Sequence, residues 1–111
     1  MRNTSVYAIL VLFITLVVSQ CGENEMEKQL RAFINAHVAK VQPLMKQMNE
    51  TYWQATITGN KEDFDKVASL EIKLRTIYSD SADFALLKKF KGSEQITSLL
   101  LQRQVELLYN S

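Results

Sequence analysis

Residues 30–55 read L-R-A-F-I-N-A-H-V-A-K-V-Q-P-L-M-K-Q-M-N-E-T-Y-W-Q-A, and this stretch decides the fold. Its apolar residues recur in steps of three and four, which places them on one face of an α-helix. That face comprises Leu30, Phe33, Ile34, His37, Val38, Val41, Leu44, Met45, Met48, Tyr52 and Ala55. The pattern predicts one long amphipathic helix from about Glu25 to Thr56. Because the spacing keeps its phase across Pro43, we expect a kink at the proline rather than an end.

A second helix is predicted after the break at residues 58–60, which read Thr-Gly-Asn. Asn60 is a good N-cap, and the helix runs to about Tyr78. The acids Glu62, Asp63 and Asp65 cluster at its start, where capping and solvation explain them. Their spacing does not match the calcium-binding loop of an EF-hand.

Two further helices complete the chain. The cluster Ser79-Asp80-Ser81 precedes a short helix that turns Phe84, Leu87 and Phe90 inward and has Gly92 at its C-cap. The last helix starts near Thr97 or Ser98. With only three glycines and one proline in 111 residues, the fold class is all-α: a kinked long helix followed by three shorter helices, within one domain spanning residues 25–111.

The N-terminus has the pattern of a bacterial lipoprotein signal peptide over residues 1–20. Arg2 supplies a positive charge, and the apolar run from Val6 to Val18 is too short for a spanning helix, which needs about 20 residues. The run ends in V-S-Q-C, which resembles a lipobox and predicts lipidation of Cys21. Residues 21–24 then form a lipid-anchored tether. Gln20 departs from the small residue usual before the cysteine, so an uncleaved anchor and an ordinary secreted protein remain alternatives.

Charge and cysteine content restrict the partners. After removal of residues 1–20 the chain has 12 basic and 12 acidic side chains, a balance of zero, so no nucleic-acid partner is expected. One cysteine excludes an intramolecular disulfide. We expect a protein of the bacterial cell envelope that contacts the membrane through its lipid. The absence of Asp after Cys21 favours the outer membrane, facing the periplasm.

Catalytic chemistry is sparse in this sequence. The single histidine, His37, lies on the apolar face of the long helix and is expected to be a core or boundary residue. No HExxH motif is present, so the two-histidine zinc site of a zincin cannot form, and we assign no catalytic and no metal-binding residue. Trp53 follows Tyr52 and points about 100° away from it on a helix. A packed aromatic pair and a ligand-facing Trp53 both remain open.

The chain resembles the N-terminal region of bacterial angiotensin-converting-enzyme-like peptidyl-dipeptidases over nearly all of residues 25–111. The matching stretches are AFINAHVAKVQPLMKQMN (32–49), YWQATITGNKE (52–62), LEIKLRTIYSD (70–80), DFALLKK (83–89) and LLLQRQVELLYN (99–110). The resemblance implies an all-α zinc peptidase whose N-terminal helices form a lid over a deep channel, toward which Trp53 could face. The zinc ligands of that family lie in HExxH and at a downstream glutamate, so none carries over to this chain.

Two functions are therefore expected. In the first, the chain is a truncated lid fragment of a membrane-anchored zinc peptidyl-dipeptidase. Such a fragment is inactive alone, holds no cofactor itself, and has the missing catalytic body or a second copy as its partner. The alternative is a stand-alone small helical lipoprotein that acts as a binding or scaffold module. For the fragment we expect exposed apolar surface, marginal stability and a tendency to associate, whereas in the stand-alone module the apolar faces should close into a compact bundle.

Overall fold

The computed structural model describes residues 22–111, which are all-helical as predicted: 82% of them are in helices, and no strand occurs among them. The four helices are α1 (Glu25–Thr58), α2 (Lys61–Tyr78), α3 (Ser81–Lys91) and α4 (Leu99–Tyr109). The predicted signal peptide and the predicted lipidation site Cys21 lie outside the described residues.

Helix α1 is a single continuous element that passes through Pro43 without ending, as the sequence predicted. It begins at Asn24, whose side chain accepts a hydrogen bond from the backbone N–H of Glu27. It ends at Gly59, which adopts a left-handed conformation with φ of 67° and donates its N–H to the carbonyl of Ala55. A residue with a side chain is strained in that conformation, which favours glycine. The last residue of the helix is therefore Thr58, two residues beyond the predicted end at Thr56.

Each of the shorter helices begins after a polar side chain that accepts backbone N–H groups. Asn60 caps α2, Asp80 caps α3 through the N–H groups of residues 82 and 83, and Ser98 caps α4. These contacts satisfy donors that the first turn of a helix otherwise leaves unpaired. The local sequence is therefore sufficient to place the helix starts.

The other three helices pack against the long helix α1. The connection through Gly59 is short, so α2 turns back along the C-terminal half of α1 and forms the most extensive interhelical contact. The α3–α4 pair packs against the N-terminal half of α1. The main hydrophobic core lies there and consists of Leu30, Ile34, Phe90, Ile96, Leu101 and Val105, with Met26, Phe33 and Leu108 against it.

One inward-facing prediction is wrong for α3. Leu87 and Phe90 are buried as predicted, but Phe84 is 47% exposed and stacks on Tyr109, with ring centroids 5.1 Å apart. Phe84 lies near the beginning of α3, where it meets the end of α4 at Tyr109. An amphipathic pattern predicts which face points inward, but it does not predict where a neighbouring helix ends.

Candidate functional site

An open groove of about 650 Å³ runs along α1, beside the ends of α2 and α4. His37 and Val41 are its buried members, and the half-exposed Met45 is further along α1. Tyr78 comes from the end of α2 and Leu108 from the end of α4. Its volume is within the range of small-molecule sites, and it lies where the ends of α2 and α4 come close to α1.

His37 is the most unusual polar residue of this groove. It is 7% exposed, which confirms the expected core or boundary position. The ring of Phe33 stacks on that of His37 with centroids 6.3 Å apart, and the rings of His37 and Tyr78 meet edge to face with centroids 5.1 Å apart. Neither ring nitrogen has a hydrogen-bond partner within residues 22–111. Among residues 22–111, no carboxylate orients this imidazole and no nucleophile is hydrogen-bonded to it, so these residues supply no catalytic pair around His37.

The described residues do not fit a zinc site. A catalytic zinc ion needs three protein ligands, usually histidine or carboxylate side chains. No group of three histidine, cysteine, aspartate or glutamate side chains converges anywhere in residues 22–111. His37 has aromatic neighbours rather than ligands. No step of zinc chemistry can therefore be derived from this part of the chain.

The best-defined polar arrangement is at the other end of the core, around Glu27. This carboxylate is 7% exposed. Its Oε1 accepts the backbone N–H groups of Thr97 at 2.8 Å and Ser98 at 2.9 Å, and the hydroxyl of Thr97 at 3.2 Å. The N–H of Ser98, followed by that of Thr97, holds the pKa of Glu27 below its ordinary value, because these bonds stabilise the ionised form.

Asn24 reinforces the same junction. Besides capping α1, its side-chain amide donates to the backbone carbonyl of Gln95. We call the contacts of Asn24 and Glu27 with residues 95–98 the clasp, because they join the start of α1 to the start of α4. Sequence reasoning missed the clasp. The spacing Asn24-x-x-Glu27 resembles a capping box, but nothing in the pattern indicates that Glu27 binds a segment 70 residues away.

The remaining residues singled out from the sequence lie apart from the groove and from the clasp. Trp53 is 69% exposed and does not line the groove, so its orientation toward a channel stays a prediction. At the start of α2, Asp65 binds Lys61 at 2.8 Å and Asp63 binds Lys66 at 3.0 Å. These acids form ion pairs within one turn at the surface of one helix, with Asp65 exposed and Asp63 partly buried, which agrees with the interpretation as capping and solvation.

Comparison with known proteins identifies no relative: no protein-family model, curated protein or solved structure matches the chain. Among residues 22–111, no helix combines the length and the apolar character that crossing a membrane requires.

Proposed function

We propose that this chain is the N-terminal lid segment of a membrane-anchored zinc peptidyl-dipeptidase and that it is inactive by itself. The proposal rests on the resemblance over residues 25–111 and on the amount of apolar surface that the helices leave uncovered. A lid segment needs helices that pack on a larger body, and the zinc ligands belong to that body.

The observation that carries the proposal is the set of large apolar side chains exposed on the outer faces. On α1, Trp53 is 69% and Ile57 is 63% exposed, and they lie one helical turn apart. Ile72 on α2 is 64% exposed. Exposed apolar patches of this kind commonly mark sites that pack against another protein surface. The groove beside His37 leaves a further part of α1 uncovered.

The membrane anchor is part of the same proposal. Cys21 receives lipid after cleavage of residues 1–20, and several acyl chains provide stable anchoring where one chain does not. Growth with an alkyne-tagged fatty acid should label the protein, and Cys21→Ser should abolish the label. Equal labelling of the wild type and of Cys21→Ser would contradict lipidation at this residue.

The lid function can be tested by looking for the body. Sequencing the locus downstream of the codon for Ser111 should reveal a frame that encodes HExxH. We expect the encoded protein to co-purify with this chain and to release C-terminal dipeptides in its presence. Trp53→Ser should weaken co-purification, whereas the neighbouring exposed substitution Gln54→Ser should not. Unrelated downstream sequence and no dipeptide release in cell extracts would argue against the proposal.

One observation favours the alternative of a stand-alone binding module. The N-terminal half of α1 forms a hydrophobic core with α3 and α4. The hydrogen bonds of the clasp join the beginnings of α1 and α4 beside that core within the same chain. If this alternative holds, the purified protein unfolds cooperatively as a monomer and binds little dye for exposed apolar surface. Aggregation and strong dye binding would favour the lid proposal instead.

A further inference from the structure

We propose that one end of the molecule, formed by the clasp together with Leu99 and Leu100, rests on the lipid headgroup surface. This inference depends on the lipid anchor at Cys21 proposed above. The occupant of this surface is a bilayer, because the tether is short and two strongly exposed leucines lie at this end of the molecule.

The tether between Cys21 and the folded part is very short. Asn24 is three residues beyond Cys21, which corresponds to at most about 10 Å of extended chain. Asn24 is already fixed, because it caps α1 and its side-chain amide binds the carbonyl of Gln95. Glu23 is also held, since Arg31 donates to its carboxylate at 2.7 Å. A lipid on Cys21 therefore keeps this end of the molecule close to the headgroups.

The clasp keeps the beginning of α4 at the same end of the molecule as the tethered beginning of α1. Glu27 accepts the N–H groups of Thr97 and Ser98, so the first turn of α4 lies beside the first turn of α1. Leu108, at the other end of α4, lines the groove with His37. The two helices therefore run side by side in the same direction, and their beginnings are at the same end of the molecule.

Two strongly exposed leucines are at this end. Leu99 is 81% exposed, more than any other large apolar residue among residues 22–111, and Leu100 is 64% exposed. Both follow directly after Ser98, which the clasp holds. Apolar side chains that reach the boundary between headgroups and acyl chains, about 5–10 Å deep, gain the free energy of leaving water. Contact with a bilayer explains why these leucines are left uncovered by the rest of the fold.

The opposite end supplies an internal control. Trp53 is the only tryptophan, and it lies 29 residues beyond Asn24 on α1, which is about 43 Å along a helix axis. If the clasp end rests on the membrane, α1 points away from it and Trp53 remains in water. The intrinsic fluorescence of the protein then reports the end that does not touch lipid.

The experiment uses the full lipidated protein, purified from bacterial membranes and reconstituted into neutral phosphatidylcholine vesicles that carry a headgroup spin label. The reporter variant combines Leu99→Trp with Trp53→Phe, and the wild type serves as the matched control. We expect the spin label to quench the emission of the tryptophan introduced at position 99. We expect the emission of Trp53 in the wild type to be unquenched and to remain accessible to iodide in solution.

Failure of the anchor and failure of this inference give different results. If fatty-acid labelling shows no lipid on Cys21, the anchor proposal fails and the inference fails with it. If the lipid is present but position 99 is not quenched, only the inference is overturned. Protection of position 99 from iodide without quenching by lipid also overturns it, because a protein surface then covers Leu99. Quenching that persists at high salt supports a contact imposed by the tether and the leucines rather than by charge.

Discussion

At the scale of single residues, the most informative feature is a buried carboxylate that accepts hydrogen bonds from a distant segment. A buried charge is costly unless hydrogen bonds replace the lost water, and Glu27 receives three such bonds from residues 97 and 98. His37 is the opposite case, since it is equally buried and both of its nitrogens lack partners within residues 22–111. Glu27 therefore contributes to stability, whereas His37 is a position where the fold tolerates an unsatisfied polar group.

The substitution Glu27→Gln tests the clasp. We expect it to lower the midpoint of thermal unfolding at neutral pH, because the amide cannot replace the charge that accepts the N–H groups of Thr97 and Ser98. Glu25→Gln is the matched control, since Glu25 is exposed and, within residues 22–111, its carboxylate accepts a hydrogen bond from the side chain of Gln29 alone. Circular dichroism during heating measures both variants. Equal midpoints for the two variants would argue against a stabilising clasp.

The same residue predicts a dependence on pH. The pKa of Glu27 is lowered in the folded protein, so its contribution is fully present above its ordinary pKa of about 4.5. The contribution is lost as the pH falls below 4.5 and through the lowered value, because protonation then favours the unfolded chain. Between pH 7 and pH 3 we expect the wild type to lose more stability than Glu27→Gln. A parallel loss in both proteins would show that other carboxylates dominate.

At the scale of the elements, helix ends are controlled by a few residues whose backbone preferences are strong. Gly59 ends α1 in a left-handed conformation, whereas Gly92 follows α3 with an ordinary φ of −85°. Gly92 is the C-cap of α3 as predicted, but of these two glycines only Gly59 adopts a conformation that favours glycine. Pro43 shows that a breaker does not always end a helix when the apolar face continues on both sides.

The two glycines make a matched pair for mutation. Gly59→Ala should destabilise the protein by about 1–2 kcal/mol, because a residue with a Cβ is strained at a φ of 67°. Gly92→Ala should be neutral or slightly stabilising, since its Cβ would make only ordinary contact with the carbonyl of Lys88 at 3.5 Å. Urea unfolding of both variants measures the difference. Similar losses from both would contradict this account.

Pro43→Ala should stabilise the protein, by up to about 3 kcal/mol, because it restores the hydrogen bond to the carbonyl of Ala39 and removes a steric clash. Gln42→Ala, at the exposed neighbouring position, should change the free energy of unfolding by less than about 0.5 kcal/mol. The measurement is again urea unfolding. A loss of stability in Pro43→Ala would mean that the packing of α2 depends on the local geometry that proline imposes.

At the scale of the whole molecule, α1 connects two packing units. The first contains the main core with α3 and α4, and the second contains the buried residues Leu70 and Leu74 of α2. They meet at His37 and Tyr78, whose ring centroids are 5.1 Å apart. Such a junction is small, so the two units should open with different free energies.

Hydrogen exchange tests this division. Leu74→Ala leaves a cavity and should lower the free energy of unfolding by about 2–5 kcal/mol. It should reduce amide protection in α2 and in the C-terminal half of α1 more than in α3 and α4. Leu101→Ala should show the reverse pattern, because Leu101 is 1% exposed within the main core. Mass spectrometry of peptic fragments resolves the two regions. A uniform loss of protection in both variants would show that the molecule unfolds as one unit.

The sequence by itself determined the elements of this protein. The all-α class follows from the spacing of apolar residues between Leu30 and Ala55, and helix starts follow from capping side chains such as Asn60 and Asp80. These signals are local, because a helix satisfies its own backbone and a cap acts within one turn. The burial of His37 also followed from its position on the apolar face.

Only the tertiary structure decided which helices meet and what they leave uncovered. The bond between Glu27 and Ser98 joins residues 71 positions apart, and the contact of His37 with Tyr78 depends on where α2 ends. The exposure of Leu99 beside the buried Leu101 depends on which side of α4 meets α1. Apolar periodicity does not predict these outcomes. It specifies the apolar face of each helix, but it does not specify which helix or which other molecule packs against that face.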